Sequence, residues 1–401
     1  MHVHAAAVNV ALTPSGISPE YFVATVELRD ISLRRLPEKG PRNGAAWLTG
    51  SSAGRHEPFS IEHLNLTVPD GRTIVVLGPS GCGKTTILRV AAGLLLPDSG
   101  TVLFDGVDME AVPPAGRGIG IVFQNYALYP FTSKRNILSR FLFQRQTPEL
   151  EAAAAEKYRR TCELLGVEIE YLADRDTRNL SGGEKQRVAL GRCITRDPRL
   201  FLLDEPFSSL DAKLRERYRF GLRKLLHELA ITTIYVTHDQ QEALILGDLV
   251  AVMNVGTIEQ VGTPADVYEM PATTFVADFL NVYPDVPAIN FLDGASISAA
   301  WAGRTLGFRP GDVALSEVGP SSPPATVTSV QNAPLTRSMV LTARFHGQDV
   351  YLRLPSDQTV AVGREIGLEI LRLHVFDTAS GRRTDTVSLR DHRLRASLDG
   401  P

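Results

Sequence analysis

The chain has 401 residues, of which 43% are apolar and 22% charged, and its formal net charge is −3. This length predicts two or three domains, and the charge balance gives no strong basic field of the kind that binds nucleic acid or an anionic membrane surface. No apolar run approaches the ~20 residues that a membrane-spanning helix requires. We therefore expect no nucleic-acid partner, and a membrane role would depend on partner proteins.

The first residues and the cysteines of the chain both bear on its cellular compartment. Residues 1–22 contain no Lys or Arg, so they are interpreted as an N-terminal extension and not as a secretory signal. The three cysteines, Cys82, Cys162 and Cys193, are scattered without metal-ligand spacing. This usage predicts reduced thiols and not a disulfide framework.

The first predicted strands flank an irregular segment. Residues 23–28 and 61–68 alternate apolar and polar side chains, as half-buried strands do. Residues 36–58 are rich in Gly, Pro, Ser and Arg without a sustained period, which predicts a long loop inserted into a hairpin.

From residue 73 onwards, short apolar strands alternate with helices. The predicted strands are 73–77, 200–203 and 232–236, and the predicted helices are 84–94, 149–165 and 212–229. The helix at 149–165 is placed in a helical subdomain of about residues 125–198. Alternation of this kind predicts a mostly parallel sheet with helices on its faces.

The sequence pattern changes after about residue 281: helical periodicity is lost, and short apolar segments are separated by Pro, Gly and Ser. Residues 283–401 are therefore predicted to form a small all-β domain.

A glycine-rich loop lies between the strand 73–77 and the helix that follows it. Its pattern is that of a phosphate loop, in which backbone N–H groups curl around phosphate oxygens at a helix N-terminus. Lys84 would neutralise the β and γ phosphates of ATP, and Thr85 would supply a hydroxyl to Mg²⁺. The alternative is a simple glycine-rich turn. The candidate nucleotide-binding residues are Gly78, Pro79, Ser80, Gly81, Cys82, Gly83, Lys84, Thr85 and Thr86.

Two adjacent carboxylates end the apolar strand at 200–203. Asp204 is placed to hold Mg²⁺ through water, and Glu205 to polarise the attacking water. Taken alone, such a pair is more often a surface capping group, but downstream of a phosphate loop it is expected.

Ser181, Gly182 and Gly183 open another helix, within a Leu-Ser-Gly-Gly-Glu run. A serine hydroxyl and bare backbone amides at a helix N-terminus form a second anion site. The alternative is an ordinary helix N-cap. One ATP needs one phosphate cradle, so two such sites suggest a composite pocket across a symmetric dimer.

Together these motifs, in this order, resemble the ATPases of ABC transporters over roughly residues 23–281. The resemblance implies an ABC-cassette P-loop NTPase over residues 23–282, acting as a homodimer, or a heterodimer with a close paralogue, with ATP and Mg²⁺ as cofactors. It also implies that Gln124 reaches Mg²⁺, that His238 contacts the γ phosphate, and that Asp211 lies in a loop crossing the dimer interface. Glu205, His238 and Gln124 are thus the catalytic candidates, and Thr85, Gln124 and Asp204 the metal candidates.

One departure from that family concerns adenine. The family usually stacks the base on an aromatic ring of the first hairpin, where this chain has Leu33, Arg34 and Arg35. The stacking group could instead be Trp47 or Phe59, or Arg35 through a cation–π contact.

Two further resemblances point to importers. Residues 123–130 are similar to the segment with which maltose-type importers dock a membrane subunit, through Ala127 and Leu128; ordinary helical core is the alternative. Residues 287–291, 307–310 and 373–377 resemble landmarks of the C-terminal regulatory domain of sugar-importer ATPases, which implies a small oligonucleotide-binding (OB)-type barrel.

The resemblance implies a peripheral ATPase on the cytoplasmic face of the membrane, bound to two transmembrane permease subunits and served indirectly by an extracytoplasmic solute-binding protein. A carbohydrate is the favoured solute, while sulfate, polyamine, iron and glycerol phosphate stay open. A soluble ABC ATPase of translation or DNA repair is disfavoured, because neither a second cassette nor a long coiled-coil insertion is visible. Intact Glu205 and His238 disfavour a subunit without hydrolysis.

Overall fold

The computed structural model describes residues 24–35, 59–142, 144, 147–166, 168–208, 210–283, 285–319, 323–333 and 337–388. The predicted N-terminal extension (1–22) and inserted loop (36–58) lie outside the described residues.

The strands of the described residues are numbered in chain order. They are β1 (Val26–Arg35), β2 (Phe59–Val68), β3 (Thr73–Leu77), β4 (Ser99–Phe104), β5 (Val107–Asp108), β6 (Ile119–Val122), β7 (Leu200–Asp204), β8 (Thr232–Thr237), β9 (Leu249–Asn254), β10 (Thr257–Gly262), β11 (Asn290–Asp293), β12 (Arg304–Phe308), β13 (Val313–Ser316), β14 (Pro324–Ala333), β15 (Ser338–Phe345), β16 (Gln348–Pro355), β17 (Glu365–Ile370), β18 (Arg372–Asp377) and β19 (Arg383–Ser388).

The helices are numbered in the same way. They are α1 (Lys84–Ala91), α2 (Ser133–Ile137), α3 (Ser139–Leu142), α4 (Pro148–Leu165), α5 (Glu168–Tyr171), α6 (Gly182–Ile194), α7 (Ala212–Leu229), α8 (Gln240–Leu246), α9 (Pro264–Glu269), α10 (Thr274–Phe279) and α11 (Gly294–Ile297). No helix of the described ranges is long and apolar enough to cross a membrane.

The first hairpin belongs to an antiparallel sheet of order β2-β1-β4-β5. Its strand β1 is longer than the predicted strand 23–28, because pairing with β2 continues as far as Arg35 opposite Phe59. The residues that flank the predicted insertion, Arg35 and Phe59, are therefore partners on neighbouring strands.

The central sheet has the order β10-β9-β3-β8-β7-β6. Its neighbours from β9 to β6 pair in parallel, whereas β10 is antiparallel to β9. Every residue of β3, β7 and β8 is buried, as expected for strands covered on both faces. Ile74 and Val76 pack in the core that the antiparallel hairpin closes, while Val75 and Leu77 pack in the core that contains α7 side chains.

Predicted helices agree with the structure except at one end. Residues 212–229 coincide with α7, but the helix predicted over 84–94 ends at Ala91. Gly93 adopts a left-handed conformation with φ of 72°, which terminates the helix. Helices α2, α4, α5 and α6 share a separate small core that includes Ile137 and Val188.

The C-terminal part is all-β apart from α11 and a short 3₁₀ turn, as predicted. Two antiparallel sheets, of orders β11-β12-β18-β19 and β13-β17-β14-β15-β16, pack around one core, an arrangement consistent with an OB-type domain. The buried guanidinium of Arg309 links this part to the cassette, because it donates to carbonyls of Tyr268 and Leu280 and lies 3.9 Å from the Tyr268 ring centroid.

Candidate active site

The candidate catalytic residues follow neighbouring strands of the central sheet. The phosphate loop follows β3, Glu205 follows β7, His238 follows β8, and Gln124 comes two residues after β6. These strands are parallel and adjacent in the order β3-β8-β7-β6. Their carboxyl ends therefore meet at one edge of the sheet, where open α/β sheets bind ligands.

The phosphate loop depends on backbone conformations that glycine adopts readily. Gly81 and Gly83 have φ of 82° and 110°. Gly83 precedes α1 without any side-chain cap, which leaves amides at the helix N-terminus for another partner. A Cβ at Gly78 would stand 2.3 Å from the backbone oxygen of Met253, so close packing also requires glycine there.

Lys84 turns its ammonium group into this loop. Its Nζ donates to the carbonyl oxygens of Gly78 and Pro79, each at 2.9 Å, and the residue is 6% exposed. A cation is thus held inside a ring of backbone groups at a helix N-terminus. That arrangement has the charge and geometry of an anion site.

Cys82 is part of the same loop, but it serves packing. Its side chain is buried in the hydrophobic core, and burial raises the pKa of the thiol. All three cysteines are unpaired and buried, as expected for reduced thiols.

Two of the three metal candidates, Thr85 and Asp204, are in direct contact. Thr85 Oγ1 donates to Asp204 Oδ1 at 3.0 Å, across 119 residues of sequence. Burial raises the pKa of the Asp204 carboxyl, and the Thr85 hydrogen bond partly opposes that effect. The pair offers only oxygen ligands, the type that Mg²⁺ prefers.

Glu205 and His238 form the second contact at this edge. His238 Nδ1 lies 2.9 Å from Glu205 Oε1, so the ring can donate a hydrogen bond to the carboxylate. Glu205 has φ of 44°, and its N–H donates to the carbonyl of Val236 at 2.9 Å. A left-handed glutamate is a backbone outlier of the kind that clusters at functional sites.

The Ser181 turn has a different construction. Ser181 Oγ accepts from the N–H of Glu184, whose carboxylate accepts from the N–H of Ser181 at 2.7 Å, so the turn is a capping box. Gly183 is buried against α7, where an added Cβ would stand 2.7 Å from the hydroxyl oxygen of Tyr218. No hydrogen bond between described residues joins Ser181 to the phosphate loop.

The remaining candidates occupy exposed turns or the first turn of a helix. Gln124 is exposed in the turn after β6, and Asp211 is exposed immediately before α7. Thr86 is buried in the first turn of α1, whereas Ser80 is exposed at the loop tip.

Two residues stand in the described part of the hairpin where the related family has an aromatic ring for adenine. Leu33 is buried in the hairpin core, and the N–H of Arg34 donates to Asp98 Oδ2 at 2.7 Å. Trp47 and the side chains of Arg35 and Phe59 lie outside the described residues, so the stacking candidates stay predictions.

The segment compared with importer docking sites combines exposure and packing. Tyr126 and Ala127 are left-handed, with φ of 60° and 43°, and Arg192 donates to both of their carbonyls. Ala127 is exposed, while Leu128 is half-buried and packs against the cassette core and the helical core. The core interpretation therefore applies to Leu128.

Sequence reasoning did not select Arg219 or Asp239 as functional residues. Asp239 adjoins His238, and Arg219 on α7 donates to its carboxylate at 2.6 Å. The available signal was a carboxylate directly after His238 together with arginines spaced four apart along α7.

These features define a P-loop ATPase with a β-rich C-terminal part. The family model described as ABC transporter matches residues 61–208. The sn-glycerol-3-phosphate import ATP-binding protein UgpC of Rhodopseudomonas palustris is 41% identical over 358 residues, covering 82% of this chain and 95% of that protein. Its counterpart in Salmonella paratyphi A is 41% identical over 346 residues, covering 80% and 94%.

Among solved structures, cbiO1 of Clostridium perfringens, part of an ABC transporter complex, aligns with 25% identity and a TM-score of 0.49, covering 61% of this chain and 90% of that chain. On the strength of the curated relatives, the chain belongs to the ATP-binding subunits of ABC transporters. It is an ATPase of the importer type, as the resemblances of residues 123–130 and of the C-terminal landmarks predicted.

Proposed function

We propose that the edge formed by β3, β7 and β8 is the place where this subunit hydrolyses ATP. The Thr85–Asp204 and Glu205–His238 contacts, side by side on adjacent parallel strands, carry this proposal. Lys84 exchanges its two carbonyl partners for β- and γ-phosphate oxygens, and the amides of the loop bind the rest of the phosphate chain.

Mg²⁺ is proposed as the metal that accompanies ATP. The hydroxyl of Thr85 and the carboxylate of Asp204 fit a hard cation, with the amide oxygen of Gln124 as a third ligand. The ion would neutralise charge on the phosphates.

Glu205 is proposed to orient and polarise the attacking water. His238 contacts the carboxylate of Glu205 through Nδ1. The same ring is proposed to contact the γ phosphate. Because the phosphoryl group transfers with little covalent help from protein, positioned charge supplies most of the acceleration.

A second copy of the chain is proposed to complete the pocket. Among the residues that the structure describes, Ser181, Gly182 and Gly183 have no hydrogen bond to the phosphate loop, yet they present a helix N-terminus with the residue types of an anion site. In a two-fold dimer they would cover the γ phosphate bound by the partner, with Asp211 in the loop at the interface.

The dimer is proposed to act at the cytoplasmic face of the membrane, docked to two permease subunits. Ala127 is exposed and its carbonyl accepts a hydrogen bond from Arg192, which supports this docking position. An extracytoplasmic binding protein would deliver the solute, which this chain does not contact.

For the solute, sn-glycerol-3-phosphate is the first candidate, since the printed names of the relatives specify it. A carbohydrate is the second candidate, because the C-terminal landmarks resemble those of sugar-importer ATPases. Either solute would be selected by the solute-binding protein and the permease subunits and not by this chain.

Reconstitution of the full complex in vesicles tests these proposals. ATP hydrolysis and solute uptake are measured with the loaded binding protein outside, using sn-glycerol-3-phosphate in one arm and a disaccharide in the other. The first proposal expects stimulation by sn-glycerol-3-phosphate together with uptake. Stimulation by the disaccharide alone transfers the assignment to the carbohydrate, and stimulation by neither contradicts both.

A further inference from the structure

The residues on either side of His238 are held by side-chain hydrogen bonds. Thr237 Oγ1 accepts from the N–H of Asp239 at 3.0 Å and donates to Glu242 Oε2 at 2.7 Å. The hydroxyl of Tyr235 donates to the same Glu242 oxygen at 2.8 Å. The side chain of His238 is 54% exposed, but the backbone on both sides of it is fixed by these hydrogen bonds.

Asp239 joins two helices through its two carboxylate oxygens. Oδ1 caps α8 by accepting from the N–H groups of Gln241 and Glu242 at 2.9 and 3.1 Å. Oδ2 faces α7, where Arg219 donates to it at 2.6 Å and Arg215 lies 3.5 Å away. The carboxylate is thus shared between a helix cap and two guanidinium groups.

Arg219 occupies a position where an arginine is costly. Its side chain is only 7% exposed, and burial of a cation is compensated only by good partners. Besides Asp239, it donates to Gln241 Oε1 at 3.0 Å, so its planar fork spans the first turn of α8. Arg215, one helical turn earlier, donates to the carbonyl of Leu210 at 3.1 Å.

We propose that Arg219 and Arg215 are positioning residues for His238. Arg219 holds Asp239 and so fixes the direction in which His238 approaches Glu205, and Arg215 ties that unit to the Leu210 carbonyl, next to Asp211. The position of the loop before α7 is thereby transmitted to the histidine. This inference rests on the proposed role of His238 in hydrolysis.

A positioning role has a specific kinetic signature. In the part of the chain that the structure describes, neither arginine has a hydrogen bond to the phosphate loop. Loss of Arg219 should therefore leave the ground-state binding of ATP intact. Misplacement of His238 affects the chemical step, for which an error of about 1 Å can cost roughly a hundredfold. The effect should therefore appear in kcat and not in KM.

The main experiment compares Arg219→Met with Arg223→Met in the full-length protein. Arg223 is a suitable control because it lies one turn further along α7 and also donates to α8, at the Ile245 carbonyl, but is exposed. kcat, KM for ATP and the thermal unfolding midpoint are measured for each. We expect Arg219→Met to lower kcat about tenfold or more, with KM within twofold, and Arg223→Met to leave both within twofold.

Asp239→Asn is the second variant, because asparagine still caps α8 while the charge that attracts both arginines is gone. We expect at least about a fivefold loss of kcat with ATP affinity retained. This variant decides the question should Arg219→Met fail to fold. Wild-type kcat in either folded variant, or equal losses in Arg219→Met and Arg223→Met, overturns the inference.

His238→Ala, measured in parallel, separates failure of the inference from failure of the proposed function. If His238→Ala retains wild-type kcat, the proposed role of His238 is wrong, and the positioning argument falls with it. If His238→Ala loses activity but Arg219→Met does not, only the positioning inference is wrong.

Discussion

Two glycine-containing turns open helices in this chain, and their constructions differ. The first, before α1, has left-handed glycines, no side-chain cap and a buried lysine that points back into the turn. The second, before α6, has a serine cap closed by Glu184 and an exposed serine. The first has the charge and the backbone conformations of an anion site within one chain, while the second is a self-capped helix start with an exposed serine.

The difference supports the proposal that the first motif binds phosphate within one chain and that the second acts with a partner chain. A turn whose amides have no side-chain cap gains most from an external anion. In a turn that caps itself, helix stability does not depend on the ligand, so the turn keeps its shape while the two copies of a dimer separate.

Glu205→Gln should leave ATP binding intact and lower turnover by roughly 10²- to 10⁴-fold, the usual contribution of a positioned base. The reason is that glutamine keeps the size of the side chain but cannot polarise water. Phosphate release and ATP binding are measured together. Glu228→Gln, an exposed carboxylate on α7, is the control; phosphate release at the wild-type rate from Glu205→Gln would contradict the assignment.

Lys84→Met and Lys185→Met compare the lysines of the two turns directly. Lys84→Met removes a charge-assisted hydrogen bond, which should weaken ATP binding by the isolated chain roughly ten- to hundredfold. Lys185→Met should leave that affinity unchanged, because the second turn acts on the nucleotide of the partner. Calorimetric titration with ATP measures both, and equal losses would show that the second turn also binds in its own chain.

Gly183→Ala and Gly221→Ala compare a packed glycine with an open one. A Cβ at position 183 would contact the ring of Tyr218, and the guanidinium carbon of Arg187 lies 4.8 Å from the centroid of that ring. Nothing lies within 4 Å of a Cβ at position 221. Gly183→Ala should cost about 1–3 kcal/mol of unfolding free energy, and Gly221→Ala should add up to ~1 kcal/mol. Denaturant unfolding provides the comparison, and a neutral Gly183→Ala would mean that the Tyr218 ring moves freely.

Asp204→Asn should raise the unfolding midpoint at neutral pH by a few degrees although it abolishes turnover. Burial raises the folded-state pKa of Asp204 above its unfolded value of 3.8, so its contribution to stability is fully present below pH 3.8 and is lost as pH rises through the folded pKa. The advantage of the asparagine variant should therefore grow with pH. Thermal unfolding between pH 4 and pH 8 measures it, and a constant difference would exclude ionisation as the cause.

By contrast, Glu184 in the second turn has a lowered pKa, because the N–H of Ser181 donates to its carboxylate. The capping box therefore contributes stability above the unfolded pKa of about 4.3, which is lost as pH falls through the lower folded value. The pKa of Asp204, which contacts Thr85 beside the first turn, is thus raised, whereas the pKa of Glu184 in the second turn is lowered.

Much of this molecule could be predicted from local residue patterns. The strand 73–77 and the helix 212–229 have the predicted bounds, because a continuous apolar run and a 3.6-residue period each define an element without reference to the rest of the chain. The glycine turn that opens α1 was also predictable, since left-handed turns and a helix start leave a glycine signature.

Other features depend on contacts between distant segments. The Thr85–Asp204 contact spans 119 residues and the His238–Glu205 contact spans 33, and both exist because β3, β8 and β7 are neighbours in an order different from that of the chain. The same holds for Arg219 with Asp239 and for Arg309 with the carbonyls of α10 and its flank. An arginine in a helix pattern looks like any solvent-facing charge until the packed helix shows its partner.

Local residue patterns are therefore enough to indicate the class of chemistry and the candidate phosphate-binding turns, because those signals lie in the backbone needs of a few consecutive residues. The contrast between the uncapped turn that holds Lys84 and the self-capped turn at Ser181 is visible only in the folded chain, because the partners of each turn come from its packing. The tertiary structure likewise decided which charged side chains support His238, since strand order and helix docking bring together groups that no local spacing connects.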